Sequence, residues 1–267
     1  MAKAAKYISK ACNEQGNIDW TDAENQIWEK LYSRQMSCIK DKACDEFMTG
    51  LKHLNLPVDR IPQLSEVNKV LLTATGWQCH QVPALIGFAE FFELLSQRKF
   101  PVATFIRSES EFDYLQEPDI FHEIFGHCPL LTNEAFANFT QKYGELGLKA
   151  SKEDRVYLAR LYWFTIEFGL LNTEQGLRIY GGGILSSPGE TLYAMFDNKA
   201  QREMLDVIEV FRTPYRIDIL QPVYFMIENI QQLDTISQLD LMAMVETAKT
   251  LGLHKPLYPE KTVAKAS

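Results

Sequence analysis

Two histidines five positions apart, His122 and His127, are the residues whose type and spacing point most directly to chemistry. The chain has five histidines, and these two fall in the run EPDIFHEIFGHCP at residues 117–129. Imidazole and carboxylate side chains are the groups from which proteins build divalent metal sites. The run therefore predicts a metal site that uses both histidines as ligands.

The spacing of these histidines differs from that of the HExxH helix of zinc proteases. In that helix the two histidines share one face at i and i+4, whereas positions i and i+5 of an α-helix point roughly 140° apart. We therefore expect a helix that starts near Pro118 and ends near Gly126, with His127 turned inward from the turn that follows. Gly126 and Pro129 are residue types that commonly end helices.

A third ligand is expected from the run RLYWFTIEFGLL at residues 160–171, which is apolar almost all round and predicts a buried helix. Glu167 lies inside this run, where a carboxylate is costly unless a cation or a donor meets it. Two histidines and one glutamate form the facial triad that holds Fe(II) and leaves positions open for dioxygen and substrate. Taken alone, each histidine could equally fill the core or cap a helix.

Three runs resemble the signature blocks of the pterin-dependent aromatic amino acid hydroxylases: EPDIFHEIFGH, YWFTIEFGL and YGGGILSSPGE. They occur in the order found in that family, and the resemblance extends from about Trp20 to about Glu228, closest to the short bacterial members that hydroxylate phenylalanine. It implies conversion of L-phenylalanine to L-tyrosine by dioxygen and a tetrahydropterin such as tetrahydrobiopterin. It also implies that His122, His127 and Glu167 are the catalytic Fe(II) ligands.

The resemblance places the carboxylate of the amino acid substrate on Arg107, as a bidentate pair, with Asp119 orienting Arg107 or a histidine. The other implied substrate contacts form a ring pocket and a loop: Pro118, Trp163, Phe168, Gly183 and Ser186. From the residues alone, a surface salt bridge and ordinary core packing are the alternatives. The family often has Thr where this chain has Leu115, so a hydroxyl contact is missing or comes from another group.

The pterin is expected, on the same resemblance, to stack on the ring of Phe91. The other implied pterin contacts are Ile86, Phe88, Glu123, Ala159 and Tyr162. Animal relatives usually carry serines where Gly87 and Phe88 stand here, so the side-chain contacts to the pterin differ. On its own, Glu123 could be a solvated helix carboxylate.

Other functions stay open at this point. One is a zinc hydrolase with Glu123 as base, although the i, i+5 spacing counts against it, and Cys128 has no CxxC partner to complete a thiolate site. Another is a non-enzymatic helical binding module, which loss of a ligand would reveal. Within the family, tyrosine or tryptophan is the alternative substrate; Trp163 favours phenylalanine or tyrosine, because tryptophan enzymes tend to have Phe there.

Composition excludes several kinds of partner. The net charge is −8 without a basic cluster, which argues against nucleic acid and anionic membranes. The five cysteines are odd in number and form no CxxC pair, so we expect reduced thiols in a cytoplasmic protein. There is no spanning apolar run and no signal-peptide pattern. Without a heptad-patterned tail like that of tetrameric animal relatives, we expect a monomer or dimer.

The elements that must position these residues are mainly helices, with a few short strands. We expect one compact α+β catalytic domain over residues 1–267, without a regulatory or tetramerisation domain, and loose order at 1–20 and about 256–267. Strands are predicted at 77–82, 100–107, 177–180 and 216–223. Helices are predicted from Thr21 or Asp22, and at 44–54, 66–74, 84–97, 118–126, 133–143, 152–171, 187–195, 224–233 and 237–251.

Overall fold

The computed structural model describes residues 7–115 and 117–259 of the chain, which are mainly helical as predicted. The α-helices are α1 (Asp22–Ile39), α2 (Asp45–Leu54), α3 (Leu64–Ala74), α4 (Phe88–Ser96), α5 (Cys128–Leu131), α6 (Glu134–Lys149), α7 (Lys152–Tyr162), α8 (Gly182–Leu185), α9 (Pro188–Phe196), α10 (Val207–Arg212), α11 (Gln231–Ser237) and α12 (Leu241–Leu251). The strands are β1 (Gln78–Val82), β2 (Lys99–Ala103), β3 (Leu170–Thr173), β4 (Gly176–Ile179), β5 (Gln201–Met204) and β6 (Val223–Ile227). Two π-helical segments, His122–His127 and Trp163–Glu167, and a 3₁₀ turn at Glu109–Glu111 complete the described elements.

Side-chain caps set several helix starts where the sequence predicts them. Thr21 accepts a hydrogen bond from the backbone of Glu24, whose side chain reaches back to Thr21, so α1 begins with a capping box. Ser187 caps α9 in front of Pro188 in the same way, by accepting from the backbone N–H of Glu190. These polar starts fix the entry of the chain into two helices beside the predicted site.

The strands form two separate sheets. Strands β1 and β2 pair in parallel, with α4 as the crossover between them. The second sheet has the order β4-β3-β6-β5, in which β3 and β4 are antiparallel and the other pairs are parallel. The predicted strand at 216–223 and helix at 224–233 were wrong, because the apolar residues 223–227 instead form the buried strand β6 inside this sheet.

The predicted helix at 152–171 is also wrong at its C-terminal end. The α-helix α7 stops at Tyr162, the π-helical segment continues to Glu167, and Leu170 already belongs to β3. Leu170 and Leu171 pair with β4 and β6, so sheet pairing wins over the helical pattern. A short fully apolar run fits a buried strand as well as a buried helix, which is why periodicity misplaces this boundary.

An aromatic cluster lies directly behind the helix that carries the two predicted histidine ligands. Phe121 and Phe125 stack at 4.9 Å between ring centroids, and Trp28 and Phe47 meet them edge-on at 5.6 and 5.9 Å. All four side chains are fully buried. Burying rings of this size contributes roughly 2 kcal/mol or more each, which anchors the histidine-bearing segment to α1 and α2.

The chain before α1 is more ordered than the sequence predicts. Ser9 donates to the carbonyl of Val82 at 2.8 Å, and the backbone N–H of Lys10 donates to Thr104 at 2.8 Å. Tyr7 stacks on Phe105, with ring centroids 4.8 Å apart. These contacts tie residues 7–10 to the first sheet, whereas residues 1–6 and 260–267 lie outside the described residues. None of the helices in the described ranges combines the length and apolar character needed to cross a membrane.

Replacing Gly50 by Ala should destabilise the fold. A Cβ at Gly50 would lie 2.0 Å from the carbonyl oxygen of Pro129, in the short helix that follows His127. Overpacking of this kind costs about 1–3 kcal/mol, so the denaturation midpoint should fall. Gly189→Ala is the matched control, because a Cβ there meets open space, and it should be neutral or stabilising by up to about 1 kcal/mol. Equal unfolding free energies for the two variants would contradict the close packing of α2 on α5.

Candidate metal centre and adjoining pocket

Three side chains predicted as metal ligands converge on one point. The Nε2 atoms of His122 and His127 are 3.2 Å apart. Glu167 places Oε1 3.4 Å from His127 Nε2 and Oε2 3.7 Å from His122 Nε2. Ligands that each sit about 2 Å from one ion lie roughly 3–3.5 Å from one another. The donor set and its spacing therefore fit a single divalent ion, and two imidazoles with one carboxylate are the donors that suit Fe(II).

The π-helical segment His122–His127 explains how histidines five positions apart can face the same ion. A π-helix bonds i to i+5 rather than i to i+4, so the extra residue in the turn brings His127 back beneath His122. The predicted helix end at Gly126 was wrong: the helix runs on through α5 to Leu131. Glu167 ends a second π-helical segment, so all three ligands sit on turns that are wider than α-helical ones.

A hydrogen bond from Ser186 selects the nitrogen with which His122 faces the ion. His122 Nδ1 lies 2.9 Å from Ser186 Oγ, and that hydroxyl donates its proton to the carbonyl of Gly182 at 2.9 Å. Since the hydroxyl has one proton, it accepts from Nδ1–H, which leaves the lone pair on Nε2 for a metal. Ser186 was predicted as a substrate contact; its position makes it a partner of the ligand.

Close packing, rather than a hydrogen bond to Nδ1, holds the ring of His127. Its ring lies 5.1 Å from that of Phe100, and its Nδ1 is buried without a hydrogen-bond partner among the described residues. A Cβ at Gly182 would lie 2.5 Å from this imidazole, and one at Gly183 would lie 3.0 Å from Glu167 Oε2. The glycine loop therefore lets the backbone approach two ligands, and it brings Gly183, which was predicted as a substrate contact, beside Glu167.

Burial and charge set the protonation of the ligands. Burial lowers the pKa of His122 to about 4, against the opposing pull of Glu167, so the imidazole is in its neutral, metal-binding form at neutral pH. Burial alone would raise the pKa of Glu167, but the imidazoles of His127 and His122 outweigh it and lower that pKa. Glu167 is thus an ionised ligand.

Glu123 is a second carboxylate near the ion position. It lies with His122 and His127 in a group whose ligand atoms are all within 4.8 Å. Burial raises its pKa well above the usual value, and the negative charges of Glu167 and Asp119 add to this effect. Because Glu167 is ionised and its oxygens lie within 3.7 Å of both imidazoles, Glu167 is the better third ligand.

Asp119 joins the predicted substrate clamp to the metal segment. Arg107 donates to this carboxylate from Nε at 2.8 Å and from Nη2 at 3.0 Å. The backbone N–H of His122 donates to Asp119 Oδ1 at 3.1 Å. Burial would raise the pKa of Asp119, but the Arg107 guanidinium outweighs it and holds the pKa below its usual range. Asp119 therefore orients the arginine and the start of the metal-binding turn together.

An adjoining pocket of about 280 Å³ opens onto Glu167. All six predicted pterin contacts line it: Ile86, Phe88, Phe91, Glu123, Ala159 and Tyr162. The rings of Phe91 and Tyr162 meet edge-on at 5.4 Å. Pro118 and Trp163, predicted as substrate contacts, line the same pocket, whereas Arg107, Phe168, Gly183 and Ser186 do not.

Two residues of this site were missed in the sequence. Tyr215 stacks on Trp163 at 4.5 Å between ring centroids, opposite Phe168 at 4.4 Å. Gln221 accepts a hydrogen bond from the indole N–H of Trp163 at 3.0 Å, and its own backbone N–H donates to the buried Glu190. Both come from the irregular segment 213–222, where neither periodicity nor spacing gives a signal.

Leu115 and Phe88, at which the chain departs from the family pattern, have different surroundings in the structure. Leu115 packs on a small apolar cluster of Ala84, Ala103 and Phe105. Phe88 is 65% exposed at the pocket rim. Cys128 is buried with its sulfur 3.6 Å from that of Cys79, so it packs behind the site.

Comparisons with known proteins show the family of the chain. The sequence model of the biopterin-dependent aromatic amino acid hydroxylase family matches residues 1–247. The chain is 56% identical to phenylalanine-4-hydroxylase of Pseudomonas aeruginosa over 262 residues, covering 98% of this chain and 100% of that protein.

Solved structures of related proteins also resemble the chain. Phenylalanine hydroxylase of Colwellia psychrerythraea 34H is 64% identical with a TM-score of 0.92, over 94% of this chain and 97% of that one. The Chromobacterium violaceum enzyme, solved with bound Fe(III), is 41% identical with a TM-score of 0.85, over 88% and 86%.

A measurement of metal affinity would distinguish Glu167 from Glu123 as the third ligand. Glu167→Gln and His122→Ala should lower the affinity for Fe(II) or Co(II) by more than about 100-fold, because even residues that only support a ligand cost 10–100-fold. Glu123→Gln is the matched control and should lower it by less than about tenfold. Isothermal titration of the metal-free proteins measures this. Equal losses in the two glutamine variants would make Glu123 a ligand and overturn the assignment.

Proposed function

Because the chain belongs to the biopterin-dependent aromatic amino acid hydroxylases, we propose that it is a phenylalanine 4-hydroxylase with an iron centre at His122, His127 and Glu167. The observation that carries the proposal is the convergence of these ligands at the wall of a pocket lined by all the predicted pterin contacts. Its reaction converts L-phenylalanine, dioxygen and a tetrahydropterin to L-tyrosine and a hydroxylated pterin, so that each product takes one oxygen atom. The relatives that bear this name align over the whole of the site.

The chain's own contribution is to hold three ligands on one face and keep the other face accessible. A bound Fe(II) would activate dioxygen with two electrons from the tetrahydropterin. Ser186 fixes the tautomer of His122, while Phe100 and Gly182 fix the ring of His127. The pocket beside the ligands is lined mostly by apolar side chains, which would limit the water at a bound ion and so protect reactive species from side reactions.

Arg107 binds the carboxylate of the amino acid in this proposal. Asp119 engages Nε and Nη2 of the guanidinium, and Nη1 makes only a long contact of 3.5 Å to the carbonyl of Phe112. The guanidinium is therefore held in one orientation with a donor edge still available. Preorganised donors of this kind position a substrate without a further loss of side-chain entropy.

The ring of the substrate would lie against Trp163, with Pro118 and Phe168 beside it. Trp163 is itself sandwiched between Phe168 and Tyr215, and Gln221 holds its indole N–H. A rigid apolar wall suits a phenyl ring. Because apolar pockets reject an added hydroxyl only weakly, tyrosine is the secondary substrate to test, followed by tryptophan. Convergence of all three ligands counts against a non-enzymatic binding module.

We further propose that residues 1–267 act as one catalytic domain in the cytoplasm, as a monomer or dimer, on small molecules alone. The net charge of −8 supports the absence of nucleic acid and anionic membranes as partners. The five cysteines are free thiols, which suits a reducing compartment.

A turnover assay tests the proposed reaction. Protein loaded with Fe(II) and supplied with tetrahydrobiopterin and oxygen should convert phenylalanine to tyrosine, and should act more slowly on tyrosine and tryptophan. His122→Ala should form no product, because it lacks a ligand. Amino acid analysis of the products decides the outcome. Failure to hydroxylate any of the three, together with tight binding of zinc rather than iron, would contradict the proposal and favour a hydrolase.

The substrate clamp has its own test. Arg107→Lys should lower kcat/KM for phenylalanine by about 100-fold, chiefly through KM, because lysine cannot form the bidentate pairs. Arg60→Lys is the matched control: Arg60 makes a bidentate pair with Glu66 on the surface, where such pairs contribute little.

Discrimination against phenethylamine, which lacks the carboxylate, separates binding from stability. The wild-type protein should reject this amine, whereas Arg107→Lys should lose much of that preference. An unchanged preference in the variant would show that Arg107 does not hold the carboxylate.

A further inference from the structure

A second cavity of about 610 Å³ adjoins the predicted pterin pocket along α7. Phe88, Ala159 and Tyr215 line both cavities. Two of these, Phe88 and Ala159, are predicted pterin contacts. The second cavity therefore begins where one edge of a bound pterin would end, so that a substituent on this edge could enter it.

The second cavity is basic, in a protein whose net charge is −8. Three basic residues of α7 line it: Lys152, Arg155 and Arg160. Within the described part of the chain, the lining includes no acidic residue. An anion is thus the ligand that this lining favours.

The buried guanidinium of Arg160 is the feature that points to a ligand. It is 7% exposed, like Arg107, but Arg107 has Asp119 whereas no carboxylate of residues 7–115 and 117–259 lies within 4.0 Å of Arg160. Its Nη1 donates to the carbonyl of Phe211 at 3.0 Å, and its guanidinium lies 4.7 Å from the ring of Tyr157. Burial lowers the pKa of Arg160, the sign of a cation without adequate compensation. A bound anion would offset that cost.

The rest of the lining suits an aromatic linker. Tyr215, Tyr258 and Phe88 present rings to the cavity, and Pro214 and Val156 add apolar surface. Tyr258 is fixed there by a hydrogen bond from its hydroxyl to the carbonyl of Tyr215 at 3.2 Å. Flat apolar walls beside one buried and two more accessible cations form a site for a planar group that ends in a negative charge.

We propose that this cavity receives an anionic substituent of the tetrahydropterin co-substrate, an extended group with a planar portion that ends in carboxylates or phosphate. The inference rests on the proposed function, because it takes the adjoining pocket to hold a pterin ring. In this proposal, Lys152 and Arg160 distinguish pterins that carry an anionic substituent from pterins that do not. No new chemical step is required.

Binding without turnover tests this inference. Iron-loaded protein under argon is titrated calorimetrically with two unreactive 7,8-dihydropterins. 7,8-Dihydrobiopterin has a short neutral substituent, whereas 7,8-dihydrofolate has an aromatic linker that ends in two carboxylates. We expect dihydrofolate to bind at least about tenfold more tightly at low salt, and rising salt to reduce this preference.

Variants locate the preference in the second cavity. Lys152→Glu and Arg160→Gln should each remove most of the roughly tenfold preference while leaving the affinity for dihydrobiopterin unchanged. Lys152 is exposed, so its variant should fold even if Arg160→Gln is destabilised. Lys52→Glu makes the same charge change on the exposed face of α2, which does not line the cavity, and should keep the preference.

Several outcomes overturn the inference. Equal affinity for the two pterins, or a preference that survives Lys152→Glu, would show that the cavity does not select an anionic substituent while leaving the proposed function intact. If p-aminobenzoylglutamate or inorganic phosphate alone bound as tightly as dihydrofolate, the cavity would be a separate anion site. If neither pterin bound, the proposed function would fall with it.

Discussion

Two imidazoles separated by five positions can meet one ion from a continuous helix only if that helix takes an extra residue into the turn between them. The π-helical segment His122–His127 satisfies this requirement, and most of the site depends on it. A π-turn is less favourable than an α-turn and persists where surrounding contacts impose it. Here the buried rings of Phe121 and Phe125 hold the segment from behind, and Gly182 lies against His127 from the front.

The Arg107–Asp119 pair extends the same constraint toward the substrate. A buried ion pair contributes little net stability, because desolvation of both charges opposes their attraction. What this pair does provide is a fixed geometry, since one carboxylate engages the guanidinium by two bonds and the backbone of His122 by a third. A single side chain, Asp119, thereby fixes both the guanidinium that we propose binds the substrate carboxylate and the start of the metal-binding segment.

The side chains that converge at the metal centre and line the pocket were predictable because residue type and local order carry them, and the resemblance to a family supplied the roles proposed for them. The backbone that presents them was less predictable. A single sequence does not distinguish a π-turn from a helix end, and the apolar runs at Leu170 and at 223–227 fit buried strands and helices equally well until sheet pairing decides. Tyr215 and Gln221 were missed because they reach the site from an irregular segment, through tertiary packing alone.

The sequence separation of the ligands has a consequence for the order of folding. His122 and His127 belong to one local turn, but Glu167 comes from beyond α5, α6 and α7, so the loop formed by residues 128–166 must close before all three ligands meet. The entropy of that closure is met by helix packing and by β3 entering its sheet. Metal capture therefore follows assembly of the scaffold. Iron would bind late and stabilise a scaffold that has already folded, unlike the ion of a zinc finger, which drives folding itself.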